Sequence, residues 1–166
     1  RTANPARIQA MLGVEVINLT RTGRSYEDVG SGCVDPASLI SVPGGSVPMR
    51  DLEVGSYVSS LSPHSFEHVR PAAVLKKRTF DGEPRLSINQ NITVSTTQPL
   101  FSKERGWILA RDIKAGMHLL KSDGSYEIVS ATKDVGAGTV MIIAVDDPSH
   151  TFVANGFVCH NIGKVT

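Results

Sequence analysis

The sequence predicts an all-β fold. Short runs rich in Val, Ile, Leu and Thr recur along the chain, and turn pairs such as Asp81-Gly82, Asp123-Gly124 and Asn155-Gly156 separate them. Few segments show a sustained helical period, and the best helical candidates are two single turns. These two turns belong to a segment that occurs twice in the sequence. The three observations together indicate a β structure built from two related units.

The composition indicates a single hydrophobic core and gives no sign of a nucleic-acid or membrane partner. The chain has 166 residues, 40% of them hydrophobic, which favours a single domain. Its formal charge is +1 and no segment concentrates Lys and Arg, so we expect no nucleic-acid partner. The longest apolar runs, such as 140–145, are too short to span a bilayer, so we expect no membrane partner either. We expect a monomer. Because the chain begins with Arg1 and not with Met, we also expect it to be a piece of a longer product, and no compartment is indicated.

Residues 1–32 differ in character from the rest of the chain. Residues 14–20 have strand character, whereas residues 21–32 are polar and rich in glycine, as in a flexible connection. We interpret residues 1–32 as a flank that belongs to a host protein. An ordinary N-terminal strand of the same domain is the alternative interpretation, and the sequence does not decide between them.

The internal repeat joins segments 49–58 and 110–119, which align without a gap 61 positions apart. Arg, Asp, an aliphatic residue and Gly recur at the same offsets in both. A strand-like run follows each copy, at 57–61 and at 118–121. The pattern predicts two copies of one unit, in which a single helical turn leads into a strand and the glycine takes a positive φ.

The chemistry-bearing residues lie at two distant places in the sequence. Residues 150–162 predict a β-hairpin around Asn155-Gly156, and His160-Asn161 follows its second strand. An Asn side chain can attack its own backbone carbonyl, close a succinimide and break the following peptide bond. Far upstream, Cys33 follows Gly32 directly before a predicted strand. A thiol near one end and a carboxamide near the other therefore form the candidate reactive pair.

These stretches together resemble the Hint superfamily, which comprises inteins, bacterial intein-like domains and the hedgehog autoprocessing domain. The resemblance is carried by 33–40, by the duplicated turn, by 94–101 and by 150–161. It covers residues 33–161, the size of a minimal splicing domain without a homing endonuclease. It implies an all-β horseshoe of two pseudo-symmetric subdomains that processes its own chain in a single turnover. The flanks 1–32 and 162–166 would be its substrate.

The resemblance implies a role for each residue near the first junction. The Cys33 thiol would attack the carbonyl of Gly32 and convert the peptide bond into a thioester, for which the thiolate is needed. The family's T-x-x-H motif falls on residues 95–98, here beginning with Ser95 and ending with Gln98. Gln98 is expected to hold the scissile amide, but it cannot exchange a proton near neutral pH, which predicts a slow first step.

A second departure from the family concerns a carboxylate. The Asp that many relatives carry near the end of the domain falls near Ile142 in this chain, so no acid is expected there. Asp146 or Asp147 could take its place, although both also suit a turn.

At the second junction the resemblance makes Asn161 the cyclising residue. His160 would polarise its carbonyl or protonate the leaving amine, and His150 would be a second proton donor or else a structural histidine. Splicing inteins carry Cys, Ser or Thr after this Asn, whereas this chain carries Ile162, which has no nucleophile. The remaining route to ligation is attack by the free amine of Ile162 on the thioester, in competition with hydrolysis.

Two questions remain open from the sequence. Cys33 and Cys159 could approach disulfide geometry, so that oxidation silences the nucleophile, although a spare buried thiol also explains Cys159. We expect no metal and no other cofactor, because two cysteines with His64 and His68 form no ligand set. The function predicted is cleavage at Gly32-Cys33 and Asn161-Ile162 with inefficient or conditional splicing. The alternative is a catalytically silent domain that serves as a structural insert.

Overall fold

The computed structural model describes residues 32–62 and 65–161, and these residues are almost entirely β structure. No α-helix occurs within these two ranges, so the all-β prediction is confirmed. The fourteen strands found there are β1 Leu39–Val42, β2 Gly45–Pro48, β3 Tyr57–Ser62, β4 Ser65–Glu83, β5 Arg85–Ile88, β6 Ile92–Ser95, β7 Pro99–Ser102, β8 Gly106–Leu109, β9 His118–Leu120, β10 Tyr126–Ile128, β11 Thr132–Asp134, β12 Gly138–Val145, β13 Thr151–Ala154 and β14 Phe157–His160. The predicted strand 14–20, Pro63, His64 and residues 162–166 lie outside the described residues.

The strands form three sheets. The largest has the order β10-β9-β7-β14-β13-β1-β2, with β8 paired to β7 at the branch. The two smaller sheets have the orders β11-β5-β6 and β12-β4-β3. The C-terminal strand β14 therefore lies in the middle of the large sheet, between β7 and β13. This position keeps the end of the described chain in the protein interior, where all four residues of β14 are buried.

The internal repeat predicted from the sequence is present in the structure. The two helical turns are 3₁₀ turns, Met49–Asp51 and Ala110–Asp112. Each follows a hairpin, β1-β2 in the first half and β7-β8 in the second, and each leads into β3 or β9. Gly55 and Gly116, which lie between these turns and the strands β3 and β9, take φ values of 93° and 92°. The repeat therefore reflects two halves of related structure.

Hydrogen bonds around the two turns repeat almost pair for pair. The amide of Met49 donates to the carbonyl of Ser38, and the amide of Ala110 donates to the carbonyl of Gln98 in the second half. Likewise Gly55 donates to Val74 and Gly116 to Val129. Ser38 and Gln98 thus occupy equivalent places. One contributes to the first hairpin, and the other lies at the candidate site.

One predicted turn is wrong. Asp81-Gly82 does not end a strand but lies inside β4, which continues to Glu83. The register against β12 shifts there, because Gly138 pairs with Glu83 while Val140 pairs with Phe80. Gly82 has a φ of 69°, so the pair of residues is accommodated as a β-bulge. The predicted hairpin turn at Asn155-Gly156 is confirmed, with φ values of 49° and 83° between β13 and β14.

The main core lies between the sheets and is built from aliphatic and aromatic side chains of both halves. Its largest fully buried members include Phe152, Phe157, Ile40, Leu100 and Ile108. A separate small cluster joins Cys33 to Val140 and Ile142 of β12. The predicted nucleophile Cys33 is therefore outside the main core, whereas the next residue, Val34, belongs to it.

Candidate functional site

The backbone of Cys33 is held from two sides. Val34 exchanges two hydrogen bonds with Met141 of β12, at 2.9 and 2.8 Å. On its other side Val34 forms an antiparallel bridge with Val94 of β6, and there the Ser95 amide donates to the Cys33 carbonyl at 2.9 Å. Two strands of different sheets thus fix the segment that would carry the first junction.

The Cys33 side chain is buried in apolar surroundings. It is 4% exposed and packs with Val140 and Ile142, and the partly buried Phe80 and Ala144 complete the cluster. Burial and, to a smaller extent, the charge of Glu83 raise the pKa of the Cys33 thiol to about 12, against an opposing effect of Arg78. At neutral pH the sulfur is therefore a protonated thiol. Because the surroundings favour the protonated form, forming the nucleophilic thiolate costs free energy.

Ser95 holds the amide of the predicted first junction. The Cys33 N–H donates to Ser95 Oγ at 3.0 Å, and Ser95 Oγ lies 3.3 Å from Thr97 Oγ1. The sequence-based expectation gave this contact to Gln98. In the structure the first residue of the 95–98 motif makes it, and Gln98 has other partners.

Gln98 lies between the two predicted junctions. Its Nε2 donates to the carbonyl of Pro99 at 2.7 Å and to the carbonyl of His160 at 3.0 Å. On its other side, a Cβ atom added to Gly32 would lie 2.7 Å from Gln98 Cα, 2.9 Å from Gln98 Oε1 and 2.6 Å from Pro99 Cδ. Gly32 and the carbonyl of His160 therefore both contact one residue. The structure brings together the two chain segments that the sequence placed far apart.

His160 is a buried, neutral imidazole. It is 2% exposed, and its ring packs edge-on against Trp107 with 4.7 Å between ring centroids. Burial, with a smaller contribution from the charge of His150, lowers the pKa of His160 to about 3. Both ring nitrogens are shielded from solvent and have no hydrogen-bond partner within the described part of the chain. No described group therefore fixes which of the two ring nitrogens carries the proton.

Asn161 is fully buried and anchored through both its backbone and its side chain. Its N–H donates to the carbonyl of His150 at 2.8 Å. Its side-chain Nδ2 donates to the carbonyl of Ile143 on β12. The ring of His150 lies 6.2 Å from that of His160, so the three predicted C-terminal residues are neighbours. Ile162, the other side of this junction, lies outside the described residues.

The carboxylates considered as replacements for the missing Asp have other roles. Ile142, near which the resemblance places the family's Asp, packs against Cys33. The Asp147 carboxylate accepts hydrogen bonds from Arg70 Nε and Nη2 at 2.9 and 2.8 Å and from Ser149 Oγ at 2.5 Å. The Arg70 guanidinium holds the pKa of Asp147 well below its usual range. Asp146 is exposed. Asp147 therefore stabilises the loop before β13.

The two cysteines are not paired in the structure. Cys33 and Cys159 are both free thiols. Cys159 belongs to the main core and its Sγ donates to the carbonyl of Phe157 at 3.6 Å, whereas Cys33 lies in the separate small cluster. Burial also raises the pKa of the Cys159 thiol to about 12. These surroundings favour the structural interpretation of Cys159 over the redox hypothesis.

Sequence reasoning missed three contributors to this site. Trp107 lies in β8 and covers His160, Pro99 contacts Gly32, and the backbone of Ile143 receives the Asn161 side chain. A Trp in a strand is an ordinary core residue, and a backbone carbonyl has no signature in the sequence. Among the described residues, no group of three or more His, Cys, Asp or Glu side chains lies close enough together to hold a metal ion. No described helix is long and apolar enough to cross a bilayer.

Solved structures with the same arrangement are intein and intein-like domains. The bacterial intein-like domain from Clostridium thermocellum superposes with a TM-score of 0.68 at 23% identity, covering 78% of this chain and 98% of that one. The DnaB intein from Synechocystis sp. PCC 6803 gives 0.68 at 20% identity, covering 81% and 99%. The chain has the intein fold. The gp41-1 intein gives 0.64 at 19% identity, covering 78% and 98%.

The intein fold accounts for nearly the whole length of each of these structures, so the described part of this chain is comparable in extent to a whole intein domain. The predicted Hint fold class is thereby confirmed. No protein-family model matches the sequence, and no curated protein matches it. The limits of the domain at residues 33 and 161 remain a prediction, because residues 1–31 and 162–166 are not described.

Proposed function

We propose that this chain is a self-processing domain that cleaves its own backbone at Gly32-Cys33 and Asn161-Ile162, with ligation of the flanks as a minor or conditional product. The observation that carries the proposal is the meeting of Gly32 and the His160 carbonyl at Gln98. The intein fold, found in structures described as inteins, supports it. The substrate is then the protein's own flanking segments.

The first step is an N-to-S acyl shift. Cys33 Sγ forms a bond to the carbonyl carbon of Gly32, the bond from that carbon to Cys33 N breaks, and the thiol proton passes to the released amine. Ser95 Oγ accepts the Cys33 N–H in the resting state, and it is placed to stay hydrogen-bonded to this nitrogen while the peptide bond breaks. We expect this step to be slow for two reasons. The thiol is protonated at neutral pH, and Gln98 cannot donate a proton to the leaving nitrogen as an acid would.

The second step is cyclisation of Asn161. Its Nδ2 forms a bond to its own backbone carbonyl carbon, the bond to the nitrogen of Ile162 breaks, and one proton moves from Nδ2 to the leaving amine. The neutral His160 ring can donate one N–H to the developing oxyanion. Its lowered pKa, a consequence of burial, disfavours a role as a base, so the ring acts as a hydrogen-bond donor. The products are a succinimide and a free N-terminal Ile162. That amine then attacks the thioester, or water hydrolyses it.

A silent structural domain is the second candidate function. The apolar surroundings of Cys33, with Ile142 where relatives carry Asp, favour it. Such a domain would keep the intein fold and leave both junctions intact.

The deciding experiment is to express the full chain between two larger tags of different mass and to weigh the products over days, with and without a thiol. We expect C-terminal cleavage that disappears in Asn161→Ala and N-terminal cleavage that disappears in Cys33→Ala. Cys159→Ala is the matched control and should keep both cleavages. An intact precursor after prolonged incubation with a thiol would support the silent domain. Equal N-terminal rates with and without prior reduction would remove the disulfide hypothesis.

A further inference from the structure

Gln98 contacts both junctions, but the two hydrogen bonds that its side chain donates go to carbonyls, and neither of them reaches the amide of the first junction. From this geometry we propose that Gln98 is a positioning residue for C-terminal cleavage, which holds the His160-Asn161 peptide for cyclisation of Asn161. The inference rests on the self-processing function proposed above. It differs from the role that the sequence resemblance implied, which was help at the N-terminal step.

The peptide unit between His160 and Asn161 is fixed at both of its polar ends. Gln98 Nε2 donates to its carbonyl at 3.0 Å, and its N–H donates to the carbonyl of His150 at 2.8 Å. The Asn161 side chain is held separately by the carbonyl of Ile143. With the peptide unit fixed, the remaining freedom lies in the few Asn161 torsions that carry Nδ2 from the Ile143 carbonyl to the Asn161 carbonyl carbon. Restricting the other torsions favours near-attack geometry.

Gln98 contributes a side chain to these contacts, which a substitution can change. His150 and Ile143 contribute backbone carbonyls, which no substitution removes directly. Both protons of the Gln98 amide group are used, one for His160 and one for Pro99, and the group is completely buried. A neutral amide suits two carbonyl acceptors, whereas a carboxylate there would face two oxygens without a proton to share.

The N-terminal junction does not need the Gln98 donor. Its amide N–H already donates to Ser95 Oγ. What Gln98 presents to Gly32 is Oε1 and the Cα atom, at 2.9 and 2.7 Å from the position of an added Cβ. An isosteric Glu preserves this surface and removes only the donor. The two junctions can therefore be separated by a single substitution.

The experiment uses the full tagged chain in two backgrounds. In Cys33→Ala, which isolates C-terminal cleavage, Gln98→Glu should slow release of the C-terminal tag by about 10- to 100-fold at pH 8. In Asn161→Ala, which isolates the N-terminal step, the same change should alter hydroxylamine-induced cleavage by less than about threefold. Gln90→Glu, at an exposed glutamine, is the matched control and should change neither rate.

A pH profile separates positioning from a general loss of structure. In the Gln98→Glu variant, burial raises the pKa of the introduced carboxyl, and below that pKa the group regains an O–H that can donate to the His160 carbonyl. We therefore expect the ratio of parent to Gln98→Glu rates to shrink as the pH falls from 8 to 5. Gln98→Met, which has similar size and no donor, should show the same defect at every pH. Equal C-terminal rates for parent and Gln98→Glu at pH 8 would overturn the inference.

A second measurement tests the contact apart from activity. In the inactive Cys33→Ala, Asn161→Ala chain, the side-chain amide protons of Gln98 should exchange slowly with water. One of them should show scalar coupling across the hydrogen bond to the His160 carbonyl carbon. Fast exchange without coupling would overturn the positioning role. A parent chain that cleaves at neither junction would instead refute the proposed self-processing, and the coupling would still decide whether Gln98 holds this peptide.

Discussion

Val34 and Val94 face each other across an antiparallel bridge. The hydrogen bonds on either side of this pair run between equivalent positions of the two segments. The Asp35 amide donates to the carbonyl of Thr93, and the Ser95 amide donates to the carbonyl of Cys33, both at 2.9 Å. Because Cys33 precedes Val34 and Ser95 follows Val94, the bridge places the thiol residue beside the hydroxyl that receives its amide.

Ser95→Ala should slow the N-terminal step. The substitution removes the hydroxyl that accepts the Cys33 N–H and that can stay hydrogen-bonded to the leaving nitrogen. It also leaves the buried Cys33 N–H without this acceptor, which is costly. We expect hydroxylamine-induced cleavage in the Asn161→Ala background to fall by roughly 10- to 100-fold. Ser95→Thr retains the hydroxyl and is the control, with a rate near that of the parent. A Ser95→Ala rate equal to that of Ser95→Thr would show that this hydroxyl has no part in the step.

Gly32→Ala should block the first junction while sparing the second. Gly32 has a φ of 87°, and an added Cβ would lie 2.6 Å from Pro99 Cδ and 2.7 Å from Gln98 Cα. The scissile carbonyl must therefore shift, and we expect at least roughly tenfold slower N-terminal cleavage by mass spectrometry. Gly44→Ala is the matched control, because Gly44 has a φ of 85° with open space around it. If both variants lose activity equally, the loss comes from backbone strain at a positive φ and not from the close contact with Gln98 and Pro99.

How far the sequence predicts this molecule depends on the range over which its signals act. The Asn155-Gly156 hairpin and the repeated turns are local patterns, and the structure confirms them. Asp81-Gly82 is the same kind of signal, yet pairing of the long strands β4 and β12 absorbs it as a bulge. Local turn chemistry gives way here because an extended ladder offers more hydrogen bonds than a hairpin turn.

The site shows the same limit at atomic scale. The 95–98 motif placed Ser95 and Gln98 near the first junction, but three residues of spacing do not determine which side chain reaches which backbone group. That depends on the Val34-Val94 bridge and on β14, which runs beside β7 and brings the His160 carbonyl to Gln98. The environment of His160 likewise depends on Trp107, from a strand far earlier in the sequence. Such long-range contacts leave no periodic signal.

The stability of the fold should decrease on acidification because of His160. Its folded-state pKa is lowered to about 3 from an ordinary value of 6.5, so between these values the unfolded chain binds a proton that the folded chain does not. The free energy of unfolding therefore falls as the pH drops from 6.5 towards 3, by on the order of 4 kcal/mol over the full window. Urea titrations of the Cys33→Ala, Asn161→Ala chain at several pH values measure this change.

His160→Phe is the comparison for this effect. Phe keeps an aromatic ring beside Trp107 but does not titrate, so the stability of this variant should be nearly flat between pH 6.5 and 5. Carboxylates whose folded-state pKa is lowered, such as Asp147 beside Arg70, lose their stabilising contribution only as the pH approaches their unfolded-state values, below this interval. Parallel curves for the two proteins would mean that the His160 ring becomes protonated in the folded state without cost.

Ile162→Cys should raise the fraction of ligated product. With Ile162, the flanks can be joined only after Asn161 has cyclised, when the free amine competes with water for the thioester. A thiol at that position can accept the acyl group before cyclisation and hold both flanks on one chain. We expect the ratio of ligated to separately cleaved flanks, measured by mass spectrometry, to rise several-fold, whereas Ile162→Val should leave it unchanged. An unchanged ratio in Ile162→Cys would mean that residue 162 does not reach the carbonyl of Gly32.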